Sequence, residues 1–199
     1  MKKKIAVILL LLALAAAFRL CRPPDEQRAE ALLEQALNRD SYGFSARAVL
    51  IMEDAETPYF QLQGRIEGDS SQVSGTVLGE EVELSYADGV LYRTLPDGSR
   101  VSRQLADLGE LGELYAELLP LSAFAHRGVA AYAVQRQKNR LELRLCPEEA
   151  LDWVGRYFRD PRYIISCGPL GRRVRSLTLE ATEKVNGSAV LRLEVVMQN

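Results

Sequence analysis

The sequence predicts an α+β fold in which one large antiparallel sheet curls into a half-barrel and helices pack on its concave face. Period-two hydrophobic runs joined by glycine-containing turns fill most of the chain, as in an antiparallel meander. The helical stretches are too few to alternate with strands as a parallel α/β fold requires. A chain of 199 residues with 47% hydrophobic content can bury one sizeable core, which predicts a single domain over residues 23–199.

The N-terminal segment predicts export. Lys2, Lys3 and Lys4 precede the apolar run Ile5–Phe18, and a charged segment followed by an apolar one of this length is typical of a secretory signal. A full membrane span needs about 20 apolar residues. Residues 1–22 are therefore interpreted as a signal peptide or an N-terminal membrane anchor, and the protein as secreted or held at the extracytoplasmic face of the membrane.

The charge balance excludes a nucleic-acid-binding function. Five of the 25 basic residues precede Pro23, which leaves 20 basic against 27 acidic side chains in residues 23–199. Phosphate backbones call for a basic surface, and this part of the chain is acidic.

The first half of the domain is predicted to be one helix followed by six strands. Pro24 and early acidic residues suit the start of a helix over Asp25–Asn38. Alternating hydrophobic residues then predict strands over Phe44–Glu53 and Tyr59–Glu67. The stretch Gln72–Val101 predicts a meander that turns at Gly79-Glu80, at Asp88-Gly89 and at Asp97-Gly98.

Leu105–Leu119 departs from the strand pattern. Its leucines recur at helical spacing with acidic residues opposite, which predicts an amphipathic helix that ends at Pro120. Gly109 and Gly112 each cost about 1 kcal/mol of helix stability relative to alanine. We expect this helix to depend on the surface against which it packs.

The last third is predicted to hold four strands and a helix. Strands are expected over Val129–Gln137 and Arg140–Leu145, a helix from Pro147 to Phe158, and a loop over Arg159–Gly171. The chain then ends in a hairpin, Arg173–Lys184 and Ser188–Met197, whose turn contains Asn186-Gly187.

This order of elements, with Gly75-Thr76 and the segment Asp88-Gly89-Val90-Leu91-Tyr92, resembles the LolA/LprG-like family of exported lipoprotein and lipid carriers. The resemblance covers roughly residues 25–197. It implies an unclosed β-barrel covered by helices, with an acyl chain held between the sheet and the helices. It also implies a lipid or an acylated protein as the partner, and attachment to the membrane through the N-terminal segment.

The candidate ligand-binding residues are the aliphatic and aromatic side chains that the predicted strands and the Leu105–Leu119 helix turn toward each other. They are Phe44, Ala46, Leu50, Phe60, Leu62, Gly75, Leu84, Tyr86, Leu111, Tyr115 and Leu118. Small residues at Ala46, Ala48, Gly64 and Gly75 leave room for a ligand under this hypothesis. The alternative is that the same side chains pack as a filled core, and that the domain docks an envelope protein such as a cell-wall enzyme.

The polar residues give little sign of catalysis or metal binding. His126 is the only histidine and is predicted to lie in an exposed loop, and no C-x-x-C motif is present. The sequence therefore predicts neither an enzyme nor a bound metal or cofactor. Cys146 and Cys167 form a disulfide or remain free thiols, and Cys21 is either a lipidation site or an unmodified membrane-proximal cysteine. Arg172, Arg173 and Arg175 contact lipid head groups or are simply solvated.

Overall fold

The computed structural model describes residues 25–53, 55–104, 119–137, 140–168 and 173–198. These residues form eleven strands, two α-helices and a short 3-10 helix. In chain order the elements are α1 (Asp25–Leu37), β1 (Ser41–Met52), β2 (Ala55–Glu67), β3 (Ser70–Val77), β4 (Glu80–Ala87), β5 (Val90–Thr94), β6 (Arg100–Gln104), the 3-10 helix (Ser122–Phe124), β7 (His126–Gln137), β8 (Arg140–Ala150), α2 (Asp152–Tyr157), β9 (Phe158–Cys167), β10 (Val174–Glu183) and β11 (Ala189–Gln198).

All eleven strands belong to one unclosed antiparallel sheet, in the order β6-β5-β4-β3-β2-β1-β11-β10-β9-β8-β7. Strands β1–β6 form an N-terminal meander and strands β7–β11 a C-terminal one. The first strand pairs with the last, so that β1 and β11 join the two meanders in the middle of the sheet. Strands β6 and β7 are its two edges. The predicted fold class, a curled antiparallel sheet with helices on one face, is confirmed.

Tight turns set the register of the N-terminal meander. Asp88 and Gly89 have φ angles of 53° and 79°, and Leu78 and Gly79 have 51° and 84°. Positive φ at both central residues is characteristic of the type I′ turn, whose twist matches that of the flanking strands. The predicted turn at Asp88-Gly89 is therefore confirmed, and the preceding turn is centred one residue earlier than predicted.

Two predictions in the last third were wrong. Pro147 does not open a helix: it lies in β8 opposite Val129, where the β7–β8 register shifts, a position at which a strand tolerates a missing N–H. The helix begins only at Asp152. The predicted loop Arg159–Gly171 contains strand β9, because the alternating inward side chains of Tyr163, Ile165 and Cys167 are buried and outweigh the turn signal of the prolines and glycines.

Two further predictions lie outside the described residues. They are the N-terminal segment of residues 1–22 and the Leu105–Leu119 helix, of which only Leu119 is described. Within the part of the chain that the structure describes, no helix is both long and apolar enough to cross a membrane.

Candidate functional site

The inner face of the sheet is a continuous apolar surface, because the strand registers align hydrophobic residues in rows across both meanders. One row consists of Leu143, Ile165, Leu177, Val195, Ala46, Leu62, Gly75 and Val82. The next consists of Leu145, Tyr163, Leu179, Leu193, Ala48, Phe60 and Val77. The described helices lie on this face and contribute Leu33, Phe124 and Val154 to the same core.

Burial falls along these rows from strands β8–β11 toward both edges of the sheet: toward β7, where Val134 opposite Leu143 is half-buried, and toward the N-terminal meander. Leu143, Ile165 and Leu177 are 0–1% exposed. At the other end of the same face, partly buried side chains continue the core: Ile66, Val77, Val82, Tyr86 and Leu91. The N-terminal meander therefore offers apolar surface that the described residues cover only in part.

The structure brings the predicted ligand-binding residues of the sheet together on this inner face. Phe44, Ala46, Phe60, Leu62 and Leu84 belong to the buried core. Tyr86 and Leu50 are half-buried against it, and Leu50 lies opposite Leu191. Leu111, Tyr115 and Leu118 lie outside the described residues. A ligand role for any of these residues remains a prediction.

The glycines on this face do not leave open space, contrary to the interpretation that small residues make room for a ligand. A Cβ atom on Gly75 would lie 2.0 Å from the carbonyl oxygen of Gln61. A Cβ atom on Gly64 would lie 2.3 Å from the carbonyl oxygen of Gln72 and 2.9 Å from the Phe44 ring. Both glycines therefore allow neighbouring backbone and the Phe44 ring to approach closely.

An aromatic cluster that the sequence did not predict anchors the 3-10 helix to the sheet. Tyr163 on β9 lies edge-on to Phe124 and to His126, with ring centroids 5.3 and 5.5 Å apart. Its hydroxyl donates long hydrogen bonds toward the carbonyl oxygens of Ala123 and Ala125, at 3.5 and 3.4 Å. Burial, with a smaller contribution from the Asp152 charge, raises the pKa of Tyr163 above its ordinary value.

His126 is therefore not the exposed loop residue that the sequence predicted. It begins β7, is half-buried, and its Nδ1 lies 3.0 Å from the carbonyl oxygen of Phe124. Nearby, the Nε1 atom of Trp153 is buried without a hydrogen-bond partner among the described residues, and its ring lies edge-on to Phe158. These aromatic residues are scattered over 40 residues of the sequence, from Phe124 to Tyr163, so no local pattern marks the cluster.

Cys146 and Cys167 form no disulfide in this fold, so the disulfide alternative is wrong. Leu145, which lies opposite Tyr163, points to the inner face, so its neighbour Cys146 points to the outer face, whereas Cys167 is on the inner face opposite Leu141. Five strand positions separate Leu141 from Cys146, a distance of about 17 Å, which far exceeds the Cα separation that a disulfide spans.

Among the described residues, no group of three or more His, Cys, Asp or Glu side chains is placed to hold a metal ion. Cavities of about 500 and 560 Å³ occur on the outer face of the N-terminal meander, and most of their lining residues carry hydroxyl, amide or charged groups. Arg173 and Arg175 are exposed at the start of β10, and Arg172 lies outside the described residues.

Comparisons with known proteins find similarity of layout alone. No protein-family profile matches the chain, and a search of curated proteins finds no relative. Among solved structures, the chain is similar to the LolA superfamily protein NE2245 from Nitrosomonas europaea, with 13% identity and a TM-score of 0.36, over 85% of this chain and 92% of the other. It is also similar to a DUF1329 family protein from Desulfovibrio piger, with 8% identity and a TM-score of 0.28, over 84% and 87% of the two chains.

Proposed function

We propose that this chain is an exported, non-enzymatic domain that binds an acyl chain, free or attached to a protein, against the inner face of its sheet. One observation carries the proposal. The apolar inner face continues beyond the part that the described helices cover, onto Val77, Val82, Tyr86 and Leu91, where the side chains are only half-buried. Apolar surface that adjoins a core without being fully covered by it is a natural site for a hydrophobic ligand.

The chemistry of this surface selects an aliphatic ligand. Its inner positions on β3 and β4 include Val73, Gly75, Val77, Val82 and Leu84. The charged residue on this face of β4 is Glu80, at the start of the strand opposite Val77. Removing a methylene group from water contributes about 0.8 kcal/mol. A chain of methylene groups laid along these strands is therefore stabilised without any polar contact.

The proposed location follows from the N-terminal segment. A Lys-flanked apolar run before Pro23 supports export, with residues 1–22 either removed or kept as a membrane anchor. A lipid, or an acylated protein at the membrane surface, is then the available partner. We assign no catalytic group and no cofactor to this function.

A second candidate, an envelope protein-interaction module with a dry core, is favoured by the glycines. The space beside Gly64 and Gly75 is already filled by backbone and by the Phe44 ring. If the inner face is equally full elsewhere, the domain acts through its outer surface, and no lipid enters it.

A matched pair of variants on β5 separates the two functions. Leu91 and Val90 are both half-buried, but Leu91 lies on the inner face opposite Tyr86 and Val90 on the outer face. The probe is a dansyl-labelled fatty acid, whose fluorescence rises on transfer from water to an apolar site. We expect Leu91→Gln to weaken its binding several-fold, whereas Val90→Gln leaves the binding unchanged.

Bound lipid provides an independent measurement. Protein purified from a lipid-containing bacterial host is extracted with organic solvent, and the extract is analysed by mass spectrometry. We expect acyl lipid in amounts that are lower for Leu91→Gln than for Val90→Gln. Absence of lipid from every preparation, together with no binding of the fatty acid, would refute the carrier function and leave the interaction module.

A further inference from the structure

The two edges of the sheet differ in how they are protected from pairing with another chain. Strand β6 is five residues long, fully exposed, and carries Arg100 and Arg103. Short, charged strands are a common way to prevent edge-to-edge association. Strand β7 spans twelve residues, and its segment Val129–Val134 carries no charge and no proline. A long edge without such protection is a template for pairing with another strand.

The middle of β7 is open to solvent in the described structure. Ala130, Ala131 and Ala133 are exposed, and Tyr132 is 36% exposed. A cavity of about 450 Å³ is lined by Glu30 of α1 and by Val129–Tyr132 of this strand.

Two features limit the stretch of β7 that can pair with a further strand. The register with β8 shifts between Val129 and Ala131, so the strand is irregular at its start. From Ala131 to Gln137 the pairing with β8 is regular, and the hairpin to Arg140 follows. Bulges disrupt ladder pairing locally. Seven consecutive positions therefore present a regular edge.

We propose that β7 pairs antiparallel with β7 of a second copy of this chain, in a twofold-symmetric register centred on Val134. A twofold axis perpendicular to the sheet requires one residue to face itself, and a centre at Val134 pairs all seven regular positions. Any other centre loses at least two of them. This inference is independent of the proposed ligand, since it concerns the sheet edge rather than the inner face.

The residues on this edge are complementary to themselves in that register. Tyr132 of one copy lies opposite Arg136 of the other, and Ala133 lies opposite Gln135. No two like charges face each other, and like charges directly opposite would destabilise the pair. An isologous contact of this kind closes as a dimer and does not propagate into a fibre. A seven-residue ladder covers less than the roughly 800 Å² per partner of a standard interface, so we expect a reversible dimer.

Cysteine cross-linking tests the dimer and its register in the full-length chain. Residues directly opposite each other in an antiparallel pair have Cα atoms about 4.5–5.5 Å apart, within the range that a disulfide spans. In a background of Cys21→Ser and Cys146→Ser, membranes and soluble fractions of the expressing cells are treated with copper phenanthroline. We expect Val134→Cys to give a covalent dimer on a non-reducing gel.

Three controls test whether cross-linking at Val134 reports the proposed β7–β7 pairing. Val101→Cys places an exposed thiol on the opposite edge β6 and should stay monomeric. Ala133→Cys and Gln135→Cys alter exposed positions and should cross-link more strongly when the two variants are mixed than when either is oxidised alone. Purified chain without new cysteines should show a mass that rises toward twice the monomer with concentration. Val134→Lys, checked by circular dichroism to be folded, should abolish that rise.

The outcomes decide the proposal. Cross-linking of Val134→Cys together with preferential cross-linking of the mixed pair supports it. A chain that stays monomeric at all concentrations and yields no covalent dimer at position 134 overturns it. Cross-linking that is equal at positions 101 and 134 overturns it as well, because random collisions would then account for both.

Discussion

A substitution at Gly75 tests most directly why a glycine stands on the inner face: to leave room for a ligand, or to let the backbone of the neighbouring strand approach closely. Its φ angle is 147°, a conformation that L side chains rarely adopt. A Cβ atom there would lie 2.0 Å from the Gln61 carbonyl oxygen and 2.9 Å from the Leu62 Cα atom. Both contacts are with backbone of the neighbouring strand β2, which cannot rotate away as a flexible side chain can. Gly75→Ala must therefore move β3 away from β2.

The expected cost is large for the addition of one methyl group. Backbone strain contributes about 1–3 kcal/mol, and each weakened ladder hydrogen bond adds about 1 kcal/mol. We expect a loss of at least about 3 kcal/mol in the free energy of unfolding, which lowers the melting temperature by about 6–12 °C for a domain of this size. Gly79→Ala is the control, because Gly79 also has a positive φ, 84°, but has no neighbour within 4 Å of the added atom. It should lose only about 1–2 kcal/mol.

Urea denaturation of the two variants and the parent chain measures both losses, with equal slopes required for the comparison. Equal destabilisation by Gly75→Ala and Gly79→Ala would show that close packing at Gly75 contributes nothing beyond its φ angle. Stabilisation by Gly75→Ala would mean that the added methyl group fills space, as the ligand-cavity interpretation of this glycine required.

Three further predictions follow from the same structure. Ala46→Leu should destabilise the chain by about 1–3 kcal/mol in urea denaturation, because Ala46 is buried, whereas Val82→Leu at the half-buried end should change stability by less than about 1 kcal/mol. The pKa of Tyr163 is raised in the folded chain, so the unfolded chain loses the hydroxyl proton at a lower pH. The free energy of unfolding should therefore fall as the pH rises above about 10. Tyr163→Phe should remove the part of this fall that is due to Tyr163, as thermal melts at alkaline pH would show. Cys167 is 1% exposed and forms no disulfide, so in the Cys21→Ser background a thiol reagent should modify Cys146 slowly and Cys167 only after unfolding, with no effect of reductant on the melting temperature.

Most of the N-terminal meander could be predicted because the sequence features that specify it are local. Each hairpin is marked by its own turn, such as Asp88-Gly89, and each strand by its own alternation, as in Val82, Leu84 and Tyr86. The final hairpin around Gly187, with a φ angle of 66°, is local in the same sense.

Strand β9 and the aromatic cluster could not be predicted in this way, because their causes are distant in sequence. Pro161 and Gly168 are residues typical of loops. However, β9 lies between β8 and β10, so its backbone pairs with a neighbouring strand on both edges. Tyr163 is covered in part by Phe124, which the 3-10 helix places edge-on to its ring. The role of Gly75 is also non-local, since its missing Cβ is required by the backbone of Gln61.

The junction between β1 and β11 makes the inner face a property of the whole chain. Each meander is built from local hairpins, but the junction pairs Ala46 with Val195 and Ala48 with Leu193, close to opposite ends of the domain. Closing so long a loop is costly in entropy before the contacts repay it. The continuous apolar rows therefore exist only once that pairing has formed. A substitution at Ala46 then perturbs folding and any ligand surface together, whereas Leu91, far from the junction on β5, perturbs the surface with little effect on the core. This separation is why β5 is the place to test ligand binding.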